Sequence, residues 1–318
     1  MTERRDSSPR IGFGQRTKAG ILTAAVLAIA VTGTQTTAQG KPIVRSKLWE
    51  DIGASERIDF SGRLHMLSQR IAASTCNMGA GVEPQISRGI LAGSADEMDR
   101  IMKALQFGNP RMKIIGEETN PRIMANITKI DSQWEPIRKT IDAILTNGYD
   151  ERDLAQFEEW NEPFFDDANL LVSEIAAQYS NPADLLQADA ILVDLAGRQR
   201  MRSQMLLKQA CVIWNGDNSD ESRAALQKSI DLFDRTIDAM LNGVEDVGIR
   251  KAPTDKIQAS LTSLNNDWTR ARVALASVAT GQSLEGDVRS ELYLQMNSML
   301  IQSNDIVTLY TKFAKHQY

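Results

Sequence analysis

From about residue 45 onward, apolar residues recur at spacings of three and four, as at Phe60, Leu64, Leu67, Ile71 and Met78. That spacing puts one apolar stripe on an amphipathic helix. Alternating valine-rich stretches, the mark of half-buried strands, are not seen. Glycine, proline and asparagine cluster near 79–84, 108–110, 147–148, 181–182, 215–220, 242–253 and 280–286 and interrupt the pattern. The pattern predicts helices at roughly 48–78, 85–107, 118–146, 151–180, 183–214, 220–242, 254–280 and 284–316. Four such helices with short connections make an up-down-up-down bundle, so the fold class is all-α with two tandem four-helix bundles.

A repeated phrase supports the division into two. The chain reads Asp59-Phe-Ser-Gly-Arg-Leu-His-Met-Leu-Ser-Gln69 and again Asp194-Leu-Ala-Gly-Arg-Gln-Arg-Met-Arg-Ser-Gln204. Both copies share Asp, Gly, Arg, Met, Ser and Gln in one frame. The two cysteines, Cys76 and Cys211, are separated by the same interval as Asp59 and Asp194. Asp99-Arg100 matches Asp234-Arg235, and Trp134 matches Trp268 to within one position. The tryptophans read as core. A period of this length makes each copy one structural unit: 45–180 and 181–318. Asn181-Pro182 lies at their junction, where proline pushes the preceding residue out of helical geometry. A sharp break there would set the bundles side by side with their first helices parallel, the expected arrangement, whereas a continuous helix would stack them end to end.

The first 38 residues change the picture of where the chain works. Arg4, Arg5, Arg10, Arg16 and Lys18 precede an apolar run from Ile21 to Val31, and small residues end at Ala38. This is the layout of a secretory signal peptide, 1–38, and the run is shorter than the ~20 residues of a spanning helix. An uncleaved N-terminal anchor is the alternative. The chain carries a net charge of −5, and removal of the leader's five Lys/Arg and two Asp/Glu takes it to −8. An acidic surface disfavours nucleic acid and anionic membranes as partners.

On a helical wheel, Ser61, Gly62, His65, Ser68, Gln69, Ala72 and Cys76 lie broadly away from the apolar stripe of the first helix. Ala196, Gly197, Arg200, Ser203, Gln204 and Cys211 do the same in the second copy. Small residues there let another helix approach. If the two opening helices pair in parallel about a pseudo-two-fold axis, each residue meets its equivalent. Cys76 then approaches Cys211, and His65 approaches Arg200 about 16 Å away along the helices. An intramolecular disulfide, two buried thiols and an intermolecular bridge are all open to two cysteines in an exported chain.

The segments Gly62-Arg-Leu-His-Met-Leu-Ser-Gln-Arg70 and Gly197-Arg-Gln-Arg-Met-Arg-Ser-Gln204 resemble the signature of the type IV pili methyl-accepting chemotaxis transducer N-terminal (PilJ-type) domain. That domain is related to the periplasmic sensors of nitrate/nitrite histidine kinases. The resemblance implies a bundle whose first helix carries a ligand motif at a helix pair. In the nitrate sensors, arginine three residues after the glycine holds the anion; here that position is His65 in one copy and Arg200 in the other. The family's arginine eight residues after the glycine is kept as Arg70 and replaced by Met205. The two half-sites are therefore unequal.

The resemblance implies an anion pocket at His65 and Arg200, with Arg63, Arg198, Ser68, Ser203, Gln69 and Gln204 nearby. Arginine's planar fork suits nitrate or carboxylate. A second reading pairs Arg63 and Arg198 with Asp59 and Asp194, one turn earlier. A histidine ligand makes anion affinity rise as pH falls towards 6.

Catalysis has little to stand on. The only histidines are His65 and His316, too few, with two cysteines, for a metal cluster. Glu158-Glu159 and Asp166-Asp167 are sequence neighbours that point about 100° apart on a helix. No cofactor is expected. The expectation is a periplasmic, non-enzymatic sensor-type protein, a pseudo-symmetric monomer or a homodimer, that binds a small anion. The chain reaches Tyr318 without methylation helices or a kinase, so a membrane-bound receptor or kinase is the expected partner. A structural or adaptor role in an envelope complex is the alternative.

Overall fold

The computed structural model describes residues 53–180 and 187–315. The candidate signal peptide, the Asn181-Pro182 junction and His316 lie outside these residues. Within them are eight α-helices: α1 (Ala54–Gly79), α2 (Pro84–Phe107), α3 (Pro121–Asn147), α4 (Glu151–Tyr179), α5 (Gln187–Trp214), α6 (Asp220–Asn242), α7 (Asp255–Ala279) and α8 (Gly286–Ala314). The architecture is all-α, and the predicted helix ends that lie within the described residues fall within a few residues of those observed; the predicted ends at 48, 183 and 316 lie outside them.

Local chemistry explains the boundaries. The Asn120 side chain accepts hydrogen bonds from the backbone N–H of Arg122 and Ile123, ahead of Pro121 at the first position of α3. Asp150 and Asp153 form a reciprocal capping box at the start of α4. Ser219 and Thr254 cap α6 and α7. Helices α2 and α6 end at Gly108 and Gly243, whose φ values of 77° and 78° favour glycine. After each comes the same device: a 3-10 turn (Pro110–Met112 or Glu245–Val247) closed by a bridge, Asn109 to Ile114 or Val244 to Ile249. The repeat thus extends to its loops.

Helices α1–α4 pack in a ring, as do α5–α8. Each ring buries an apolar stripe, with Leu64, Leu67 and Ile71 in the first core and Leu206, Phe233 and Trp268 in the second. Trp134 and Trp268 are core residues, and each donates its Nε1 proton to an aspartate of the neighbouring helix, Asp99 or Asp234. The bundles lie side by side through α1 and α5. Asp59 is bonded to Arg200, and Cys76 to Cys211 further along both helices, so α1 and α5 run parallel.

This contact merges the two cores. Ala73 and Val82 belong to the apolar cluster of the second bundle, while Met201 and Leu300 belong to that of the first. The face of α1 that points away from its own stripe is consequently buried: Ser61, Ser68, Gln69, Ala72 and Cys76 are each 6% exposed or less.

Candidate functional site

The interface between α1 and α5 gathers the residues of the doubled phrase. Cys76 and Cys211 are joined by a disulfide with their Cα atoms 6.1 Å apart. Gly62 faces the Arg200 guanidinium so closely that a methyl group there would lie 3.2 Å from Nη2. The same group at Gly197 would lie 3.8 Å from that atom. The small residues therefore make room for one large cation between two backbones.

Arg200 is 3% exposed. Its Nη1 donates to Asp59 Oδ1 at 2.8 Å and to Asn304 Oδ1 at 3.3 Å, while Nε is buried without a partner. Burial holds its pKa below the ordinary arginine value, and Asp59 opposes that shift. Asp59 is shared. Its other oxygen accepts from Arg63 Nε at 3.1 Å, and Arg63 also lies 3.6 Å from Glu97. The equivalent Asp194 pairs with its own-turn partner Arg198, at 2.7 Å and with both side chains about half exposed. One copy thus supplies the bridging carboxylate and the other the bridging cation.

His65 takes a different direction from Arg200. Its ring stacks on Phe165 of α4 with centroids 4.3 Å apart, and Nε2 is buried without a partner. Burial, with a smaller contribution from the Arg198 charge, lowers its pKa to about 4. The imidazole is therefore neutral at pH 6 and charges only as pH falls towards 4, which removes the titration that would tighten anion binding near pH 6. Arg200 spends its Nη1 hydrogen bonds on Asp59 and Asn304, not on His65.

The serines and glutamines are arranged symmetrically. Ser68 Oγ donates to the His65 carbonyl at 2.7 Å, and Ser203 Oγ donates to that of Arg200 at 2.8 Å. Both hydroxyl protons are thus held by their own helices. Gln69 and Gln204 each reach the neighbouring serine at 3.5 Å, and each has a buried Oε1 without a partner.

Residues outside the predicted anion pocket add two features. Arg202 is 7% exposed and donates to Gln199 Oε1 and Thr236 Oγ1. The first copy carries Leu64, Leu67 and Ile101 at the corresponding core positions. Burial and the Arg198 charge lower the Arg202 pKa to about 10. The second feature is a cavity of about 240 Å³ beside the disulfide, between α1, α4, α5 and α6, with Asn161 and Lys208 on its wall. The wheel of the first helix could not reveal it, since its polar groups come from α4 and the later half of α5. The clue available was that Lys208-Gln209 stands where the first copy has Ala73-Ser74. No group of metal-ligating side chains occurs among the described residues, and no described helix is long and apolar enough to cross a membrane.

The family model described as the type IV pili methyl-accepting chemotaxis transducer N-terminal domain (PilJ) matches residues 47–159 and 185–290. No curated protein matches the chain.

Proposed function

Because the chain belongs to the type IV pili methyl-accepting chemotaxis transducer N-terminal family, in two tandem copies, we propose that it is an exported sensory module that recognises a small anion and passes the bound state to a membrane-bound signalling partner. The family domain is sensory, and the α1/α5 pair is the element through which a bound state would be read.

The observation that carries the anion is the concentration of buried positive charge on α5. Arg200 and Arg202 are both more than nine-tenths buried in a chain whose net charge is −5. Arg202 donates to neutral acceptors, and Arg200 leans on a carboxylate that is itself 31% exposed. A buried cation with incomplete compensation attracts an anion strongly, because water no longer screens it. Nitrate, nitrite or a short carboxylate would compete with Asp59 for the Arg200 fork. The disulfide is in keeping with an oxidising compartment such as the periplasm.

A thermal-shift and calorimetric screen of nitrate, nitrite and acetate tests this reading. Binding that is lost in Arg200→Gln supports it. The adaptor reading rests on the Asp59–Arg200 pair, which gives the cation a carboxylate from the protein itself, and on the disulfide that ties α1 to α5. No stabilisation by any anion would favour the adaptor.

A further inference from the structure

The cavity beside the disulfide is a second place where the two bundles meet, separate from the Gly62–Arg200 contact. Ala72, Phe157 and Val212 line it with apolar surface. Its polar wall is Asn161, Glu162, Lys208 and Gln209. Lys208 Nζ donates to Asn161 Oδ1 at 2.7 Å and to Glu162 Oε1 at 2.8 Å. Asn161, 6% exposed, is fixed from behind, since its Nδ2 donates to the Ser68 carbonyl at 3.1 Å and its Oδ1 accepts from Gln69. The Glu162 side chain is 69% exposed and marks the solvent side.

The pseudo-two-fold axis shows what such a cavity is shaped to hold. Gln209, Ser222 and Glu162 line the cavity, and their counterparts in the other copy are Ser74, Ser87 and Asn297. Those three residues lie near the hydroxyl of Tyr293, which is fully buried and makes no hydrogen bond among the described residues. One of two equivalent grooves is thus filled by the protein's own ring with a polar tip. The other holds about 240 Å³ of space, a little below the ~300–1,000 Å³ of drug-sized sites and suited to a metabolite.

The unused hydrogen-bonding capacity specifies the occupant's head group. An ammonium has three donors, and Lys208 uses two, leaving one for a carboxylate. Glu162 has a second oxygen, and Gln209 Oε1 is buried without a partner, so both can accept from an ammonium. A carboxylate and an ammonium side by side, with an apolar body against Phe157 and Val212, describe one chemical class. We propose that this cavity binds a free α-amino acid with an apolar side chain, with its carboxylate on Lys208 and its ammonium on Glu162 and Gln209.

The test is calorimetry on the purified, oxidised chain with L-leucine and L-phenylalanine as probes. Their des-amino carboxylates and decarboxylated amines serve as comparisons. The expected result is one amino acid bound per chain, with affinity at least about tenfold above either comparison compound. Lys208→Met and Glu162→Gln should each weaken binding about tenfold or more. Ala225→Phe, at the exposed edge of the cavity, should block it while leaving the urea midpoint unchanged. Arg200→Gln should leave amino-acid binding intact, which separates this site from the anion reading. The proposal is overturned if neither amino acid binds at millimolar concentration to protein of native circular dichroism. It is equally overturned if binding survives both Lys208→Met and Ala225→Phe, or if the des-amino carboxylate binds as well as the amino acid.

Discussion

Reducing the Cys76–Cys211 bond, or replacing both cysteines with alanine, should produce the largest loss of stability of any change at the interface. The bond closes a loop of 135 residues. In the chain-entropy treatment, such a cross-link removes about 17 cal/mol/K from the unfolded ensemble, about 5 kcal/mol at 25 °C. The full effect requires both bundles to unfold together, since the tether restrains a free loop only when the whole segment is unfolded. The shared cores make that the expected behaviour: Ala73 and Val82 pack in the second core, Met201 and Leu300 in the first. Urea denaturation of oxidised and reduced protein, followed by circular dichroism and tryptophan fluorescence, measures the difference. One transition should be seen in both states, with the midpoint lower on reduction. In thermal melts the same difference should move Tm by roughly 10–15 °C. A change below about 1 kcal/mol, or two separate transitions in the oxidised protein, would refute the view that the bundles are one cooperative body.

Asp59→Asn leaves the buried Arg200 cation with Asn304 alone and should cost about 2–4 kcal/mol in urea denaturation, whereas Asp194→Asn, in an exposed pair, should cost less than about 0.5 kcal/mol. Gly197→Ala should gain about 0.5–1 kcal/mol from helix propensity, because its new methyl meets Arg200 at an ordinary 3.8 Å; Gly62→Ala should gain less or lose, because its methyl would crowd a guanidinium held in place at 3.2 Å. The His65 pKa of about 4 lies below the ordinary 6.5, so the unfolded chain binds the extra proton first. Its contribution is present above pH 6.5 and is lost as pH falls towards 4, by about 2–3 kcal/mol. His65→Gln should flatten stability against pH over that interval, and the His65 resonances in NMR should not titrate between pH 6 and 8.

The helices were legible because their punctuation is local: Asn120 before Pro121, the Asp150 box and Gly108 mark ends wherever they stand in a chain. The pairing of α1 with α5 was legible for another reason. An equal interval between Cys76 and Cys211 and between the two phrases is a statement of symmetry, and symmetry constrains contacts. The details of the site were less legible because the copies have drifted where they meet. Glycine at 62 lets the Arg200 guanidinium reach back to Asp59, a carboxylate that the first-helix pattern had paired with Arg63 alone. His65 turns instead to Phe165, a residue of α4 that no reading of α1 could supply. The amphiphilic cavity stayed hidden because its walls come from four helices.

The disulfide between the opening helices also bears on inheritance. In a homodimer, every substitution at the two-fold axis appears on both sides at once, so a groove cannot be filled on one side and left open on the other. Here the two sides are separate stretches of one gene product, held together without any dependence on concentration. Tyr293 could close one groove while Lys208 was fitted to the other. Two faces carried on one chain are free to differ, as a filled groove and an open one do here.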